Sequence, residues 1–323
     1  MSRGNLDFIG CGALNWDIFF EVEDLQTIKF QDIDIIPGRE TSLERDQFLK
    51  FLDFLEKNGK FLFACGGGSS ANTIYALSLW GFKTAFIGAV GEDNFGKNIL
   101  EEFEKVNLNT ENILKKGETS LALILLDKNK DRFIAVSPGN SEKFLLDNIP
   151  KRPIKGFFHF SSFASKAGQK FQKAILNKYN LRISFDPGEI YVNLGKDFLI
   201  PWLKATQYLF ITEYELQKLR ISLDNLYELG IEKIFLKKGK KGAAFYSKNK
   251  SLKLPVYKVE KIIDNTGAGD YFNAGILAGI KMRLEDEKVL KLGLYSAALS
   301  LRDYGRKGCL NQKEFQNYIN LLK

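Results

Sequence analysis

Histidine is nearly absent from this chain, since His159 is the single histidine among 323 residues. Catalysis by a Ser-His-Asp or a Cys-His arrangement would therefore have to pass through that one residue. His159 stands in an apolar run, 156–160, which is typical of a buried strand. A direct catalytic role for histidine is therefore not expected.

Cysteine is also scarce, and the cysteines are odd in number and widely spaced: Cys11, Cys65 and Cys309. This pattern argues against a disulfide framework and against a zinc cluster. No apolar stretch approaches the length of about 18 residues that a membrane span needs, and no apolar run follows a basic N-terminal segment. We therefore expect a cytoplasmic protein with reduced cysteines and no membrane partner.

A Walker-type phosphate loop is missing too, because Gly-x-x-x-x-Gly-Lys-Ser/Thr occurs nowhere in the chain. Negative charge is in deficit: 47 Lys and Arg residues exceed 39 Asp and Glu residues by 8, which suits anionic ligands such as nucleotides. Only the run 237–241 (KKGKK) is compactly basic. Its flanking strand patterns favour a solvated hairpin turn, so no nucleic-acid partner is expected.

The chain does contain a regular alternation of strand-like and helix-like segments, without repeats or low-complexity linkers. Strands are predicted over 6–10, 84–90, 156–163, 183–186, 208–212, 233–237 and 243–246. Helices are predicted over 70–80, 94–106, 167–177, 213–219 and 288–301. This alternation favours an α/β fold with a doubly wound, mainly parallel sheet flanked by helices, as a single domain over 1–323.

Two stretches, 16–36 and 121–136, break this rhythm by alternating apolar and polar residues without a long helix. They predict a small accessory β-sheet, with strands inserted at about 16–42 and 117–137. Such a sheet beside a ligand cleft would serve as a lid. It is also the surface through which a homodimer is expected.

A glycine-rich turn that ends in an acid, 264–270 (DNTGAGD), is the most informative motif. It stands between a predicted strand over 253–263 and a predicted helix over 271–282, so it opens a helix. Turns of this kind also serve close packing of a helix on a strand, which is the alternative interpretation.

The chemistry of this turn suits phosphoryl transfer. The backbone N–H groups of Gly267, Ala268 and Gly269 could converge on a phosphoryl group, because the helix dipole favours negative charge there. Asp270 would then lie within reach of an attacking hydroxyl. Since the proton leaves late in a loose transition state, an ordinary carboxylate with a low pKa suffices as the base.

A second glycine cluster, 10–17, follows the first predicted strand and superficially resembles the dinucleotide fingerprint Gly-x-Gly-x-x-Gly. Its last position is Asn15, so the packing role of the third glycine is lost and dinucleotide binding is disfavoured. The alternative is that Asn15 and Asp17 point into a cleft at the carboxyl end of the sheet. There a carboxylate can accept hydrogen bonds from neighbouring sugar hydroxyls.

A third cluster, 65–72 (CGGGSSAN), opens another helix. The bare backbone around Gly68 would let a polar ligand approach, and Asn72 would offer both a donor and an acceptor. The simpler interpretation is a flexible loop in which Ser69 or Ser70 caps the helix.

In this order, these clusters resemble the ribokinase-like (PfkB) carbohydrate kinase family along most of the chain. The stretch 67–73 with the glycines after it is similar to the family's N-terminal motif, and 264–270 continuing to 274–275 is similar to its C-terminal motif. Further similar positions are Gly81, Gly88, Gly91, Gly96, 138–140, 185–188, 239–242 and 306–308. The resemblance implies a ribokinase-like fold and an ATP-dependent kinase.

The resemblance also assigns roles to residues on the acceptor side. Asp270 matches the catalytic base, and the anion hole matches Gly267, Ala268 and Gly269. Four positions match the residues that hold the acceptor's hydroxyls: Asn15, Asp17, Gly68 and Asn72.

On the nucleotide side, Glu215 matches the acid of the family's Asn-x-x-Glu motif, which organises Mg²⁺ through water together with the ATP phosphates. Gly239 and Gly242 match the loop beside the nucleotide. Thr212 replaces the motif's asparagine, so it keeps a hydroxyl for a water or phosphate but loses the amide. Lys237 stands where the family often has threonine, and its ammonium either reaches the ATP phosphates or lies at the surface.

A monovalent cation such as K⁺ is implied at Asp264, because the segment 306–308 resembles the ribokinase loop whose carbonyls hold potassium. The cation would order the turn 264–270, called the anion turn below, and would strengthen the electrostatic field of that turn on the phosphoryl group. The alternative is that Arg306 or Lys307 supplies that positive charge internally.

The acceptor is left open between a sugar and a nucleoside. Ser69 occupies a position that is lysine in ribokinase, which argues against ribose. The segments 184–188 and 306–309 resemble archaeal-type nucleoside kinases, so a nucleoside is a serious alternative. Phosphofructokinase activity would require a basic pocket, and no basic residue is predicted beside the acceptor-binding positions.

The expected function is therefore transfer of the γ-phosphoryl group of ATP, with Mg²⁺, to a hydroxymethyl group of a sugar, with Asp270 as base. A nucleoside kinase of the same family is the first alternative. A non-catalytic regulator that binds a sugar or nucleotide on the same fold is the second, and the presence of Asp270 argues against it. An oxidoreductase that uses a dinucleotide is the third, and Asn15 argues against it.

Overall fold

The computed structural model describes residues 5–128, 131–151 and 154–322. Asn129 and Lys130, which fall within the predicted lid segment 117–137, lie outside the described residues.

Strands and helices follow one another along the whole described chain. The strands are β1 (Phe8–Cys11), β2 (Asn15–Glu21), β3 (Glu40–Ser42), β4 (Lys60–Gly67), β5 (Thr84–Val90), β6 (Ile113–Lys115), β7 (Ser120–Leu126), β8 (Arg132–Ser137), β9 (Phe157–Ser161), β10 (Ile183–Asp186), β11 (Thr206–Thr212), β12 (Lys233–Lys237), β13 (Ala243–Ser247) and β14 (Lys250–Leu254). The helices are α1 (Arg45–Asn58), α2 (Ser69–Leu79), α3 (Asn94–Lys105), α4 (Lys166–Tyr179), α5 (Gly188–Asn193), α6 (Lys196–Ala205), α7 (Glu213–Leu219), α8 (Leu223–Glu228), α9 (Ala268–Lys281), α10 (Asp286–Ser300) and α11 (Gln312–Leu322).

The larger sheet has the strand order β14-β13-β12-β11-β10-β9-β1-β5-β6. Its strands from β12 through β6 pair in parallel, whereas β13 and β14 pair antiparallel at one edge. Neighbouring strand residues face opposite sides, so Phe8 packs with α2, α9 and α10 while Ile9 packs with α4 and α6. Both faces are therefore covered by helices, and the predicted doubly wound, mainly parallel sheet is confirmed.

The smaller sheet has the strand order β3-β8-β7-β2-β4. Helix α1 covers one of its faces, where Phe48 and Phe51 pack with Leu123 and Phe133. The predicted accessory sheet is present, but the prediction did not include all of its strands. Between 16 and 36 only β2 is a strand, and the sequence patterns missed α1 and β4. The single domain over 1–323 with two inserted lid segments stays a prediction.

The limits of the other predicted elements agree with the structure, with one exception. Those over 84–90, 183–186, 233–237 and 213–219 coincide with β5, β10, β12 and α7, and the others differ by at most three residues at an end. The predicted strand over 253–263 is wrong, because β14 ends at Leu254 and an irregular segment leads from there to α9. Tyr257 and Ile262 in this segment are exposed, so no strand partner covers them.

The single histidine lies in a buried strand, as the sequence predicted. His159 is fully buried in β9 beside Ser184, and burial lowers its pKa to about 4, so it is neutral. Cys11, Cys65 and Cys309 are free thiols. Across the described ranges, no helix is long and apolar enough to cross a membrane.

The two sheets meet at the carboxyl end of β1. Residues 12–14 connect β1 directly to β2, and Gly68 connects β4 directly to α2. The two glycine clusters near the start of the chain are therefore the junctions between the sheets. Ligands of open α/β sheets bind at such carboxyl ends, which places the candidate site here.

Candidate active site

The turn 264–270 forms the N-terminus of α9. Gly267 is the N-cap residue at a φ of 77°, a left-handed conformation that favours glycine. The N–H of Asp270 bonds to the Gly267 carbonyl at 2.8 Å, whereas the N–H groups of Gly267 and Gly269 find no acceptor among the described residues. These two donors, together with the dipole of α9, form a surface suited to an anion.

Asp270 connects this turn to the N-terminus of α2. Ser69 Oγ donates to Asp270 Oδ1 at 2.7 Å, and Asn72 Nδ2 donates to Asp270 Oδ2 at 3.0 Å. Thr73 Oγ1 donates to the Asp270 carbonyl at 3.1 Å. The structure therefore brings together the two motifs that the sequence placed about 200 residues apart.

The environment of Asp270 changes its acidity. Burial raises the pKa of Asp270 to about 6, although Asn72 and Ser69 donate to it and act in the opposite direction. The carboxylate of Asp186 raises this pKa further, and the ammonium of Lys237 lowers it. An ordinary carboxylate with a low pKa would suffice as the base, but the pKa of this carboxyl is raised because the surrounding protein removes water from it.

Asn15 and Asp17 project from the start of β2 into the junction between the sheets. Both side chains are 8% exposed, and the Oδ1 atom of each is buried without a partner among the described residues. Buried polar atoms of this kind normally have hydrogen-bond partners, so both oxygens are available to a ligand.

Two glycines make room for this pair. A Cβ atom at Gly67 would lie 1.9 Å from Asp17 Oδ2, so any larger residue would displace the carboxylate. Gly68 has a φ of 102°, and a Cβ there would lie 2.2 Å from the Ala13 carbonyl. Gly67 is required because the Asp17 side chain lies against it, and Gly68 because of its left-handed φ and the nearby Ala13 backbone.

Arg306 lies beside this acceptor side of the site, which the sequence patterns missed. Its Nε donates to Asn72 Oδ1 at 3.1 Å. Burial raises the pKa of Asp17 well above its usual range, and the Arg306 charge partly opposes that shift. The prediction that no basic residue stands beside these positions is therefore wrong. The sequence analysis recognised the segment 306–308 as a family motif, a potassium loop or a source of internal charge, but not as part of the acceptor side.

Lys237 lies beneath the anion turn and not at the surface. Its Nζ lies 2.5 Å from Asp186 Oδ2, and Asn273 Nδ2 donates to the same oxygen at 2.6 Å. Burial opposes the charged form, but the carboxylates of Asp186 and Glu215 outweigh it and raise the pKa of Lys237. The ammonium is only 3.4 Å from where a Cβ at Gly269 would stand, so it adds positive charge to the turn.

Thr212 and Glu215 form a capping box at the start of α7. The Glu215 N–H donates to Thr212 Oγ1 at 3.2 Å, and the Thr212 N–H donates to Glu215 Oε2 at 2.7 Å. The threonine oxygen is therefore used as a helix cap. Glu215 is 7% exposed, and burial raises its pKa while the nearby Lys237 lowers it.

Gly239 and Gly242 flank the turn that connects β12 to β13. Their φ angles are 55° and 90°, and a Cβ at Gly242 would lie 2.1 Å from the Leu254 carbonyl. The predicted hairpin turn over the basic run is confirmed, since β12 and β13 pair antiparallel. In this turn, Lys238 Nζ lies 2.8 Å from Glu213 Oε1.

Asp264 is a buried carboxylate at the start of the turn 264–270. It is 1% exposed, and its oxygens accept the N–H groups of Thr266 at 2.8 Å and Gly305 at 2.9 Å. Within the described ranges it forms no ion pair. Arg306 bonds to Glu102, and the Lys307 ammonium lies 5.3 Å from the Phe63 ring centre, so neither forms an ion pair with Asp264. Burial raises the pKa of Asp264, and the positive charge of Arg132 acts in the opposite direction.

Side chains on the smaller sheet and next to it lie beside the site, and the sequence patterns did not single them out. Arg132 Nη1 on β8 donates to Asn265 Oδ1 at 3.0 Å, next to the anion turn. Arg39 pairs with Glu189 of α5 at 2.8 Å. Burial raises the pKa of Glu40 on β3 to about 7, with Arg132 acting in the opposite direction.

A comparison with protein families identifies this arrangement. The pfkB family carbohydrate kinases match residues 64–313, which is well over half of the chain. The chain belongs to this family. The match includes α2, the turn 264–270 and the segment around Arg306, whereas Asn15 and Asp17 precede the matched residues.

Individual relatives agree with the family. An uncharacterized sugar kinase of Archaeoglobus fulgidus is 32% identical over 243 residues, covering 72% of this chain and 96% of the relative. A nucleoside kinase of Methanocaldococcus jannaschii is 28% identical over 250 residues, covering 75% of this chain and 80% of the relative.

Solved structures show the same fold. The crystal structure of the Methanocaldococcus jannaschii nucleoside kinase, an archaeal member of the ribokinase family, has a TM-score of 0.76 at 22% identity and covers 98% of this chain and 99% of its own. The structure of Arabidopsis thaliana ribokinase complexed with ribose and ATP has a TM-score of 0.70 at 17% identity, with coverage of 98% and 99%. This member of the family is therefore a ribokinase-like kinase, a phosphotransferase that uses ATP and an alcohol acceptor.

Proposed function

We propose that the protein transfers the γ-phosphoryl group of MgATP to a hydroxymethyl group of a sugar, with Asp270 as the general base. The observation that carries this proposal is the position of Asp270 at the start of α9. There its carboxyl is held by Ser69 and Asn72, directly beside the N–H groups of Gly267 and Gly269, which have no acceptor in the described part of the chain.

In the proposed step, the hydroxyl oxygen of the acceptor forms a bond to the γ-phosphorus, and the bond from that phosphorus to the β,γ-bridging oxygen breaks. ADP leaves with the electron pair of that bond, and the hydroxyl proton goes to Asp270. The anion turn, with Gly267, Ala268 and Gly269, would hold the charge on the transferred group, assisted by the ammonium of Lys237.

Mg²⁺ would enter with the nucleotide. Among the described residues, no group of three or more metal-ligating side chains comes together. This fits a metal held mainly by phosphate oxygens and waters, because Mg²⁺ keeps several waters. Glu215, buried beside Lys237, would contact one of those waters, and Gly239 and Gly242 would form the loop beside the nucleotide. Thr212 would act by holding Glu215 in place.

The acceptor would lie against Asn15, Asp17, Gly68 and Asn72. The unpartnered oxygens of Asn15 and Asp17 would accept hydrogen bonds from acceptor hydroxyls, and the sugar and the ribose of a nucleoside both carry such groups. A nucleoside acceptor is the alternative, since one relative is a nucleoside kinase. Trp16 follows Asn15 in β2, but alternate strand residues face opposite sides, and its ring packs against Phe95.

A coupled ADP-release assay with ATP and Mg²⁺ tests the function across free sugars, sugar acids and nucleosides. Acceptor-dependent ADP release with at least one sugar is the expected result. If nucleosides alone support turnover, the alternative replaces the proposal. If ligands bind in calorimetry and no acceptor releases ADP, the protein is a binding regulator.

The rate should depend on pH through Asp270. A base must be deprotonated to accept the hydroxyl proton, and the pKa of Asp270 is raised to about 6. We therefore expect kcat/KM to be constant above about pH 7 and to fall about tenfold per pH unit well below 6. A pH profile of kcat/KM with the best acceptor measures this decrease on the acidic side. A rate that stays flat down to pH 4.5 would contradict the assignment.

Activation by a monovalent cation is the second expectation. The buried Asp264 carboxylate has no ion-pair partner in the described part of the chain, so a cation beside it and nearby carbonyls fits its charge. K⁺ there would order the turn and strengthen its field. Turnover should be higher in K⁺ than in a bulky organic cation at equal ionic strength. Equal rates in K⁺, Na⁺ and the organic cation would leave the site without support.

A homodimer through the smaller sheet and a cytoplasmic location remain predictions. The edge strand β4 carries Phe61, which is 57% exposed, and this side chain offers apolar surface for a second copy.

A further inference from the structure

A continuous series of side-chain hydrogen bonds leads from α3 to Asp270. Arg306 Nη1 lies 2.6 Å from Glu102 Oε2, and Arg306 Nε donates to Asn72 Oδ1 at 3.1 Å. Asn72 Nδ2 then donates to Asp270 Oδ2 at 3.0 Å. Among the hydrogen bonds of the described residues, Glu102 and Arg306 are linked to Asp270 through the amide of Asn72.

The guanidinium of Arg306 is held firmly. It is 7% exposed and lies between two rings, 4.8 Å from the centre of Tyr75 and 5.1 Å from that of Phe103. Glu102 is fixed in turn, because its carboxylate also accepts the Gly66 N–H at 3.1 Å. A Cβ atom at Gly66 would lie 2.4 Å from Arg306 Nη1, so glycine is needed for this packing.

The chemistry of arginine decides which way the Asn72 amide points. An asparagine amide has a donor end and an acceptor end of nearly equal size, whereas a guanidinium can only donate. Because Arg306 donates to Asn72, the amide oxygen must face Arg306 and the NH₂ group must face Asp270. The reversed amide would place two donors together at Arg306 and two acceptors together at Asp270.

We propose that Arg306, held by Glu102, is a positioning residue that fixes the Asn72 amide so that its N–H always points at Asp270. This inference rests on the proposed role of Asp270 as base. The donated hydrogen bond stabilises the ionised carboxylate and holds it in one orientation beside the anion turn. Loss of the fixed amide should therefore raise the pKa of Asp270 and lower the rate at neutral pH.

Other charged groups also face Asp270 and must stay unchanged in the test. They come from four different strands: Asp17 on β2, Glu40 on β3, Asp186 on β10 and Lys237 on β12.

The test replaces both members of the ion pair. Glu102→Gln with Arg306→Met removes one charge of each sign, so the net field at Asp270 changes little, and the glutamine keeps an oxygen for the Gly66 N–H. The pKa of Asp270 is measured by carbon NMR titration of aspartate labelled at the side-chain carboxyl, in protein without substrates, with Asp270→Asn identifying the signal. We expect this pKa to rise by about 0.5–1 unit, the size of one lost hydrogen bond.

The same two substitutions in an Asn72→Ala background distinguish positioning from a direct effect. If Arg306 acts through Asn72, the further shift there should be below about 0.2 unit. Equal shifts in both backgrounds, or no shift when Asn72 is present, would overturn the proposal. If the paired variant does not fold, Glu102→Gln alone is compared in the two backgrounds, and an effect independent of Asn72 contradicts the proposal.

Kinetics separate this inference from the proposed function. The acid limb of the kcat/KM profile of the paired variant should move by the same amount as the NMR pKa, with KM for ATP unchanged. If Asp270→Asn retains normal turnover, the base assignment fails whatever the NMR titration shows. If Asp270→Asn is inactive and the titration is unaffected by the paired variant, only the positioning role of Arg306 fails.

Discussion

Replacing Asp270 by asparagine should lower kcat by about 10²–10⁴-fold, the range typical for loss of a general base. Asparagine has nearly the same shape and can still bond to Ser69, but it cannot take the hydroxyl proton. The fold and the affinity for ATP should therefore change little. Steady-state kinetics with the best acceptor, together with calorimetric ATP binding, measure both expectations.

The matched control for this variant is Asp53→Asn on the exposed side of α1, where the carboxylate pairs with Lys57. It makes the same chemical change far from the anion turn and should leave kcat unaltered. Near-normal turnover of the Asp270→Asn variant would show that another group, or water alone, takes the proton.

Replacing Asp17 by alanine should weaken binding of the acceptor by about 10–150-fold, which corresponds to about 1.5–3 kcal/mol for hydrogen bonds to a charged group. The reason is that Asp17 lies in the acceptor side of the cleft, with one carboxylate oxygen buried and unpartnered in the described structure. ATP binding should be almost unchanged, because the proposed nucleotide residues lie on other elements, Glu215 on α7 and Lys237 on β12.

Calorimetry with the acceptor and with ATP, each titrated separately, checks this placement. Asp53→Ala is the control for a lost carboxylate at the surface. Equal losses of affinity for both ligands would mean that Asp17 supports the whole cleft and does not bind the acceptor specifically.

The raised pKa of Asp270 changes how the site is understood. A carboxyl that titrates near 6 is half protonated in mildly acidic solution, so its hydrogen-bond donors matter to the rate as well as to the geometry. Asn72 and Ser69 keep it ionised at neutral pH. The same site therefore depends on residues that never contact the reacting atoms, among them Arg306.

The sequence by itself determined the fold class and identified the glycines and the acid of the turn 264–270. Hydrophobic periodicity is a local property, so β5, β10, β12 and α7 were predicted at their observed limits. The glycines of 264–270 and 65–72 were equally visible, because a left-handed φ or a close backbone approach demands glycine wherever the chain goes next.

Only the tertiary structure decided which of these groups meet and how they titrate. Arg306 lies 234 positions from Asn72 in the chain, and nothing local to either residue predicts their hydrogen bond. β4 lacks a clear alternation of exposure and was missed for that reason, since its pairing with β2 depends on distant partners. The pKa of Asp270 follows from burial among α2, β10 and β12, and burial is a property of the packed molecule that no sequence motif contains.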